Sequence, residues 1–332
     1  QQIRSRIENG QFRNGSGSLK EIEIDDKYIG DICSRVKLAK PLKVVVDCGN
    51  AVPGKIAPTL FAALGCDVHP LFCEIDGNFP NHHPDPTIPE NLIALAEAVL
   101  QNNADVGIAL DGDGDRVGLI TNHGTFVGAD RIIMLLVHAI VPNYPGRAVV
   151  YDVKCSSKLG DLVKECGGSA IMHRSGHSFM KQKMQECDAI LGGEFAAHIF
   201  IRDDWFGFDD GLYVAARLLQ ILSQSDLSSE EIFDQFVTGI CTLEIKIEVP
   251  EEEKFLLMDR LLALADFPSA RRITLDGLRV EYADGWGLVR ASNTSPALLL
   301  RFEADTEIRL LEIQSDFRAL ILSADKNLEI GF

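Results

Sequence analysis

One unit occurs twice in this chain, and the repeat restricts what it can fold into. The first copy opens with strand Lys43-Val-Val-Val-Asp47, a polar turn Cys48–Gly54 and a helix over Ile56–Leu64 that Gly65 stops. A strand over Val68–Phe72, a Pro- and His-rich loop Asn78–Pro86, a helix from about Glu90 to Gln101 and a short apolar strand Val106–Leu110 complete it. The series then returns as strand Ala148–Val153, helix Lys158–Glu165, a stop at Gly167-Gly168 and a strand near Ala170–Met172. Helix Phe179–Glu186 and strand Asp188–Leu191 close the second copy. Strands alternating with helices of this size predict α/β sheet domains. Ligands of open α/β sheets sit beyond the carboxyl ends of the strands. The loops after Leu110 and Leu191 are therefore expected to face one shared cleft.

The first of these loops is Asp111-Gly-Asp-Gly-Asp-Arg116. Three carboxylates this close repel one another, and a bound cation is the natural way to hold them together; a solvated acidic turn is the plain alternative. Gly112 and Gly114 give the backbone turn conformations closed to other residues, and all-oxygen ligands favour Mg²⁺ or Ca²⁺ over zinc. An EF-hand would need Gly at its sixth position and Glu at its twelfth. Counting from Asp111, those positions hold Arg116 and Asn122, which rules it out. Arg116 supplies a positive fork suited to a phosphate oxygen. Asp113-Gly-Asp-Arg-Val117 also has the Asp-x-Asp-x-Val outline of an aspartate-nucleophile phosphatase, which is the alternative enzyme class.

In the second loop, Gly192-Gly-Glu-Phe-Ala-Ala-His198, Glu194 and His198 can offer a carboxylate and an imidazole to sugar hydroxyls, or form an ordinary polar loop. Lys154 follows a strand directly, and His177 lies in Arg174-Ser-Gly-His-Ser178; each is a candidate for acid-base or phosphate contact, with a surface lysine and a loop histidine as the plain alternatives. The pair His82-His83 lacks convincing ligand partners and is taken as structural. After a helix Asp210–Leu222, the polar stretch Ser223–Glu230 and a short helix near Phe236 mark a boundary. Thr242–Val249 alternates apolar and polar residues as a half-exposed antiparallel strand does. A helix Glu252–Ala265, strands at 271–281, 286–290 and 297–304, and a helix Glu307–Leu322 make an α+β domain. Within it, Arg290-Ala-Ser-Asn-Thr-Ser-Pro296 suits either a phosphate dianion or a plain hairpin turn.

The fold class is thus α/β, with two repeated α/β sheet domains over 24–125 and 126–237 and a C-terminal α+β domain over 238–332. Residues 1–23 read as a helical stub and a Gly/Ser/Asn-rich linker, and the chain opens on Gln1 without a Met, both of which suggest a preceding domain. The net charge of −17 argues against nucleic acid or an anionic membrane as a partner. The eight cysteines form no Cys-x-x-Cys pair, and they read as small buried residues of a reducing cytoplasm. The sequence has no signal peptide and no apolar run of membrane-spanning length.

Taken together, the segments Val45–Asn50, Asp76–Pro86, Asp111–Arg116, Asp152–Cys155, Gly193–His198, Trp205–Gly211 and Arg290–Pro296 resemble the α-D-phosphohexomutases, most closely the bacterial phosphomannomutase/phosphoglucomutases. The resemblance implies a phosphoglucomutase-like architecture of four domains around one cleft. It implies interconversion of mannose or glucose 1-phosphate and 6-phosphate through a hexose 1,6-bisphosphate. By the same resemblance Asp111, Asp113 and Asp115 hold Mg²⁺, Arg116 supports the phosphoryl group, and Lys154 and His177 line the cleft. Glu194 and His198 then meet the sugar, while Arg290, Ser292, Asn293 and Thr294 grip the phosphate already on the substrate.

Two departures stand out. The related loop usually reads Gly-Glu-x-Ser-Gly-His, whereas Ala196 and Ala197 here replace the Ser and Gly, so a hydroxyl is lost and the backbone is less permissive. No phosphoserine loop of the Ser-His-Asn type occurs, so the phosphoserine-bearing first domain is expected to be missing, and with it turnover by these residues alone. A non-catalytic sugar-phosphate-binding protein is the other alternative.

Overall fold

The computed structural model describes residues 2–268, 270–293 and 295–332. A helix α1 (Gln2–Glu8) is exposed along its whole length and leads into an extended linker. Helix α2 (Asp25–Arg35) opens the first α/β unit, which continues as β1 (Lys43–Asp47), α3 (Ala57–Ala63), β2 (Asp67–Leu71), α4 (Ile93–Asn102) and β3 (Val106–Leu110). Two further strands follow, β4 (Val117–Thr121) and β5 (Phe126–Val127). The sheet order is β2-β1-β3-β4-β5, with β2, β1 and β3 parallel and the last two antiparallel. Helix α5 (Ala129–Ile140) precedes the second unit: β6 (Ala148–Asp152), α6 (Ser157–Glu165), β7 (Ser169–His173), α7 (His177–Glu186), β8 (Leu191–Gly193) and β9 (Ile199–Ile201). Its order is β7-β6-β8-β9, again three parallel strands with an antiparallel fourth. The repeat read from the sequence is therefore a repeat of topology.

Several elements escaped that reading for a physical reason. Every residue of β4 and β9 is buried, so neither shows alternation, and each directly follows a polar loop. Helix α5 buries nine of its twelve residues, including all of Ile132–Val137. Its few polar residues, Asp130, Arg131 and His138, stand near its two ends on either side of the unbroken apolar run Ile132–Val137, which by itself suits a buried strand as well as a helix. The expected strand over 188–191 starts later, at Leu191, because Asp188 ends the preceding turn at φ +51°.

Helix α8 (Gly211–Ser223) is capped by the Asp210 side chain, which accepts from the Tyr213 amide at 3.0 Å. With α5 it lies in one apolar core that both sheets share, running from Val44, Val46 and Ile108 through Ile132, Leu136 and Tyr213 to Val149 and Leu191. The short helix expected near Phe236 is α9 (Ser229–Phe233), closer to the N-terminus than predicted. Ser228, from the polar boundary stretch, forms its capping box with Glu231.

The C-terminal domain comprises β10 (Ile240–Cys241), β11 (Ile245–Glu248), α10 (Lys254–Leu264), β12 (Arg271–Ile273), β13 (Leu278–Tyr282), β14 (Gly285–Ala291), β15 (Ala297–Ala304) and α11 (Glu307–Ala324). The strand expected over 242–249 is shortened to β11, and β10 before it pairs the same strand, β15. The single strand expected over 271–281 is a hairpin. Gly277 turns it at φ +81°, where a Cβ would meet the Val289 carbonyl oxygen at 2.3 Å. Helices α10 and α11 cover one face of this sheet around Phe302 and Phe317, and Trp286 and Leu288 on the other face meet Val153 of the second unit. Among the described residues no helix is long and apolar enough to cross a membrane.

Candidate active site

The carboxylate loop is built by its first aspartate. Asp111, 2% exposed, accepts through Oδ1 from the amides of Gly114 and Arg116, both at 3.0 Å, and through Oδ2 from Arg116 Nε at 2.7 Å. These bonds fold the loop back so that one oxygen each of Asp111, Asp113 and Asp115 lie within 4.8 Å of one another. Asp115 Oδ1 is buried without a hydrogen-bond partner. Burial, together with the charges of Asp111 and Asp113 and against the pull of His198, pushes the Asp115 carboxyl up to about 7. A divalent cation would satisfy the orphaned oxygen and cancel the repulsion, so the donor set fits a hard metal ion. Arg116 also reaches Asp85 of the Pro- and His-rich loop, Nη1 to Oδ1 at 3.2 Å.

The two repeated loops meet directly. Arg116 and His198 form an isolated antiparallel bridge between their main chains, and the Gly211 amide donates to the Gly114 carbonyl at 2.9 Å. His198 Nδ1 thereby lies 3.5 Å from Asp115 Oδ2 and 3.3 Å from Asp209 Oδ2. Burial pulls the imidazole down, but the Asp209, Asp115 and Glu194 carboxylates hold it above its ordinary range. Asp209 also accepts from Lys181 at 2.7 Å and lies 3.6 Å from His177 Nδ1. Against the upward effect of burial, the hydrogen bonds from His198 and Lys181 hold Asp209 well below the usual carboxylate range. The His177 ring is half exposed and stacks on His198 with centroids 5.8 Å apart.

Glu194 is 3% exposed; Oε1 accepts from the Gly176 amide at 2.6 Å, and Oε2 is buried without a partner. Burial, then the charge of Asp152, pushes its carboxyl up to about 7. Ala197, at the position of the glycine in related loops, takes φ +70°, and its amide donates to the Glu194 carbonyl at 2.9 Å.

The C-terminal domain completes the site. Lys154 Nζ lies 3.2 Å from Glu244 Oε2, and both line a cleft of about 470 Å³ with Asp85, Phe195, Ala196 and Ser292. Ser292 is buried and accepts from the Ser295 amide and hydroxyl at 3.1 and 2.8 Å; Asn293 is exposed. Arg290 is engaged by a carboxylate, with Nε and Nη2 at 3.0 and 3.4 Å from the two oxygens of Asp276. Thr294 lies outside the described residues.

The structure thus brings the Asp111–Asp115 loop, Arg116, Glu194, His198 and His177 together, with Lys154 and Ser292 on the neighbouring wall. Four acidic residues at this site were not singled out from the sequence: Asp85, Asp209, Glu244 and Asp276. Asp85 and Asp209 did lie in segments carrying the family resemblance, and the pair Asp209-Asp210 ahead of a helix was a usable signal. Glu244 and Asp276 sit in ordinary strand and hairpin contexts and had none. His82 is structural as read, with Nε2 at 3.1 Å from the buried Asp47. The cysteines are less uniformly buried than expected, since Cys241 is exposed.

Two repeated α/β units that present a carboxylate loop to an adjoining cleft, followed by an α+β domain, are the fold of the sugar-phosphate mutases. The chain belongs to the phosphoglucomutase/phosphomannomutase family: residues 26–124 match its alpha/beta/alpha domain II, 128–239 its alpha/beta/alpha domain III and 244–320 its C-terminal domain. No first domain is contained in these 332 residues. A phosphomannomutase/phosphoglucomutase of Pseudomonas aeruginosa is 50% identical over 332 residues, covering all of this chain and 72% of that protein. A phosphoglucomutase of Neisseria gonorrhoeae is 47% identical over 309 residues, 92% of this chain and 67% of that protein. The crystal structure of a phosphoglucomutase/phosphomannomutase family protein from Burkholderia thailandensis superposes with a TM-score of 0.94 at 43% identity, covering 99% of this chain and 71% of the other.

Proposed function

We propose that this chain is the metal- and substrate-binding part of a cytoplasmic phosphohexomutase that interconverts mannose or glucose 1-phosphate and 6-phosphate through a hexose 1,6-bisphosphate. The observation that carries this is the Arg116–His198 bridge, which sets the carboxylate loop of one unit against the loop holding Glu194 in the next. A metal and a sugar hydroxyl would then be handled side by side. An aspartate-nucleophile phosphatase has no use for the second loop or for the Arg290 turn.

In this assignment Asp111, Asp113 and Asp115 hold Mg²⁺, which when bound neutralises charge on a phosphoryl group in transfer. Arg116, fixed between Asp111 and Asp85, directs its remaining N–H donors to the same phosphate. Glu194 offers the unpartnered Oε2 to sugar hydroxyls. His198, His177 and Lys154 supply protons or positive charge along the cleft, and Ser292, Asn293 and Thr294 with Arg290 receive the distal phosphate once Asp276 yields. The domain extents 24–125, 126–237 and 238–332 are kept as part of this proposal.

No group among these residues is proposed to carry the transferred phosphate, so the 332 residues by themselves are expected to bind and not to turn over. The test is a coupled mutase assay with Mg²⁺ and a trace of glucose 1,6-bisphosphate, using mannose 1-phosphate and glucose 1-phosphate. It is run on this chain and on the chain extended by the first domain of the Pseudomonas aeruginosa relative. Activity in the extended protein alone is the expected result. Turnover by the 332 residues would refute the assignment of roles, and inactivity of both would favour a binding protein.

A further inference from the structure

The sheet face that the C-terminal domain turns to the second α/β unit carries charge where an apolar surface would be expected. Arg279, Leu288 and Arg301 stand side by side across β13, β14 and β15, and the two arginines are 0% and 2% exposed. Buried guanidinium groups are costly unless their donors are matched; Nη1 of each arginine is aimed at one turn, while Arg279 Nη2 and Arg301 Nε are buried without a hydrogen-bond partner. Arg279 Nη1 donates to the carbonyls of Val153 and Cys155 at 2.6 and 2.8 Å, and Arg301 Nη1 donates to that of Lys154. Glu303 Oε1 accepts from Ser156 Oγ at 2.7 Å.

Arg301 does more than this. Its Nη2 pairs with Asp130 at the start of α5 at 3.1 Å, and its guanidinium carbon lies 3.6 Å from the centroid of the Phe195 ring. Phe195 follows Glu194, and its amide donates to the buried Asp152 at 3.1 Å. One side chain of the C-terminal domain thus touches the helix that opens the second unit, the main chain of Lys154 and the loop of Glu194.

We propose that Arg301 is a positioning residue, which from the C-terminal domain fixes Phe195 and the Lys154 main chain so that Glu194 and Lys154 keep their places in the cleft. The inference rests on the reading of Glu194 and Lys154 as substrate contacts. A lysine could neutralise Asp130, but it has neither a planar face for Phe195 nor a second arm for the carbonyl.

Hydrogen exchange on the full 332-residue chain tests this with R301K. The amides of Glu194, Phe195 and Ala197 are all hydrogen-bonded at the loop. They are expected to exchange about tenfold faster in R301K, while β14–β15 amides keep their protection. Phe195→Leu, which leaves the buried charges alone, is expected to loosen the same amides. Unchanged loop exchange in both variants overturns the proposal. A uniform rise across the C-terminal domain also overturns it, because that is what a merely structural ion pair would give. Binding of mannose 1-phosphate to the wild-type chain is measured separately by calorimetry. Its absence would count against the proposed function, and the exchange data would still decide the role of Arg301.

Discussion

Ala197 is held at φ +70° by the tight Glu194–His198 turn, in a region that L-residues other than Asn and Asp seldom enter. Glycine there would relieve roughly 1 kcal/mol of backbone strain and forfeit a small buried methyl. Ala197→Gly is therefore expected to raise the urea midpoint modestly; a lower midpoint would show that the methyl matters more than the backbone. The acidic groups of the site carry a pH signature. Asp115 and Glu194 sit at about 7 when folded, against about 4 for unfolded carboxyls. Through that window the folded metal-free chain binds more protons than the unfolded chain, so its stability falls as pH rises. The raised His198 acts in the same direction. A cation requires ionised Asp115, so Mg²⁺ binding releases a proton below neutrality and weakens in acid. In EDTA the thermal midpoint is expected to be higher at about pH 6 than at about pH 8, and the increment from added Mg²⁺ to be larger at the higher pH. Equal increments would argue that the cation binds without Asp115.

At the level of elements, the carboxylate loop owes its shape to helix α8 as much as to its own glycines. A Cβ on Gly211 would come within 2.6 Å of the Arg116 carbonyl oxygen and 2.9 Å of that of Gly114. Gly211→Ala must push the first turn of α8 off the loop, at a cost of about 1–3 kcal/mol for an overpacked contact. Weaker Mg²⁺ binding should accompany the loss, measured by calorimetry alongside denaturation; retention of both would mean that the helix and loop are not coupled. Elements bounded by a polar turn or a glycine stop, such as β1 and α6, were legible in the sequence. Helix α5 and strands β4 and β9 were not: the apolar run Ile132–Val137 suits helix and strand alike, and β4 and β9 are short antiparallel strands that follow the site loops without a turn signal of their own.

For the whole molecule, the two α/β units share one core through α5 and α8, whereas the C-terminal domain has its own core around Phe302 and Phe317. Between them lies the mostly polar seam of Arg279, Arg301 and Glu303. Units joined by polar contacts unfold less cooperatively than units joined by a common apolar core. The two tryptophans report on different parts, Trp205 on the shared core and Trp286 on the C-terminal sheet where it meets Val153 of the second unit. Urea titrations of W205F and W286F, each read by the remaining indole, are expected to give separate midpoints. Coincident transitions would show that the seam fuses the molecule into one cooperative unit.

What the sequence determined by itself was local. The Asp111–Asp115 loop was readable because its ligands are neighbours in the chain, and the duplicated unit because its strands and stops recur in order. The tertiary structure alone decided which residues distant in the chain meet: Asp209 beside His198 and Asp276 on Arg290 within domains, Glu244 on Lys154 and Arg301 under Phe195 between them. Those partners are between 11 and 106 residues apart, and no spacing rule reaches so far. Only folding removes the water between such charges, and their pairing becomes strong only once that water is gone.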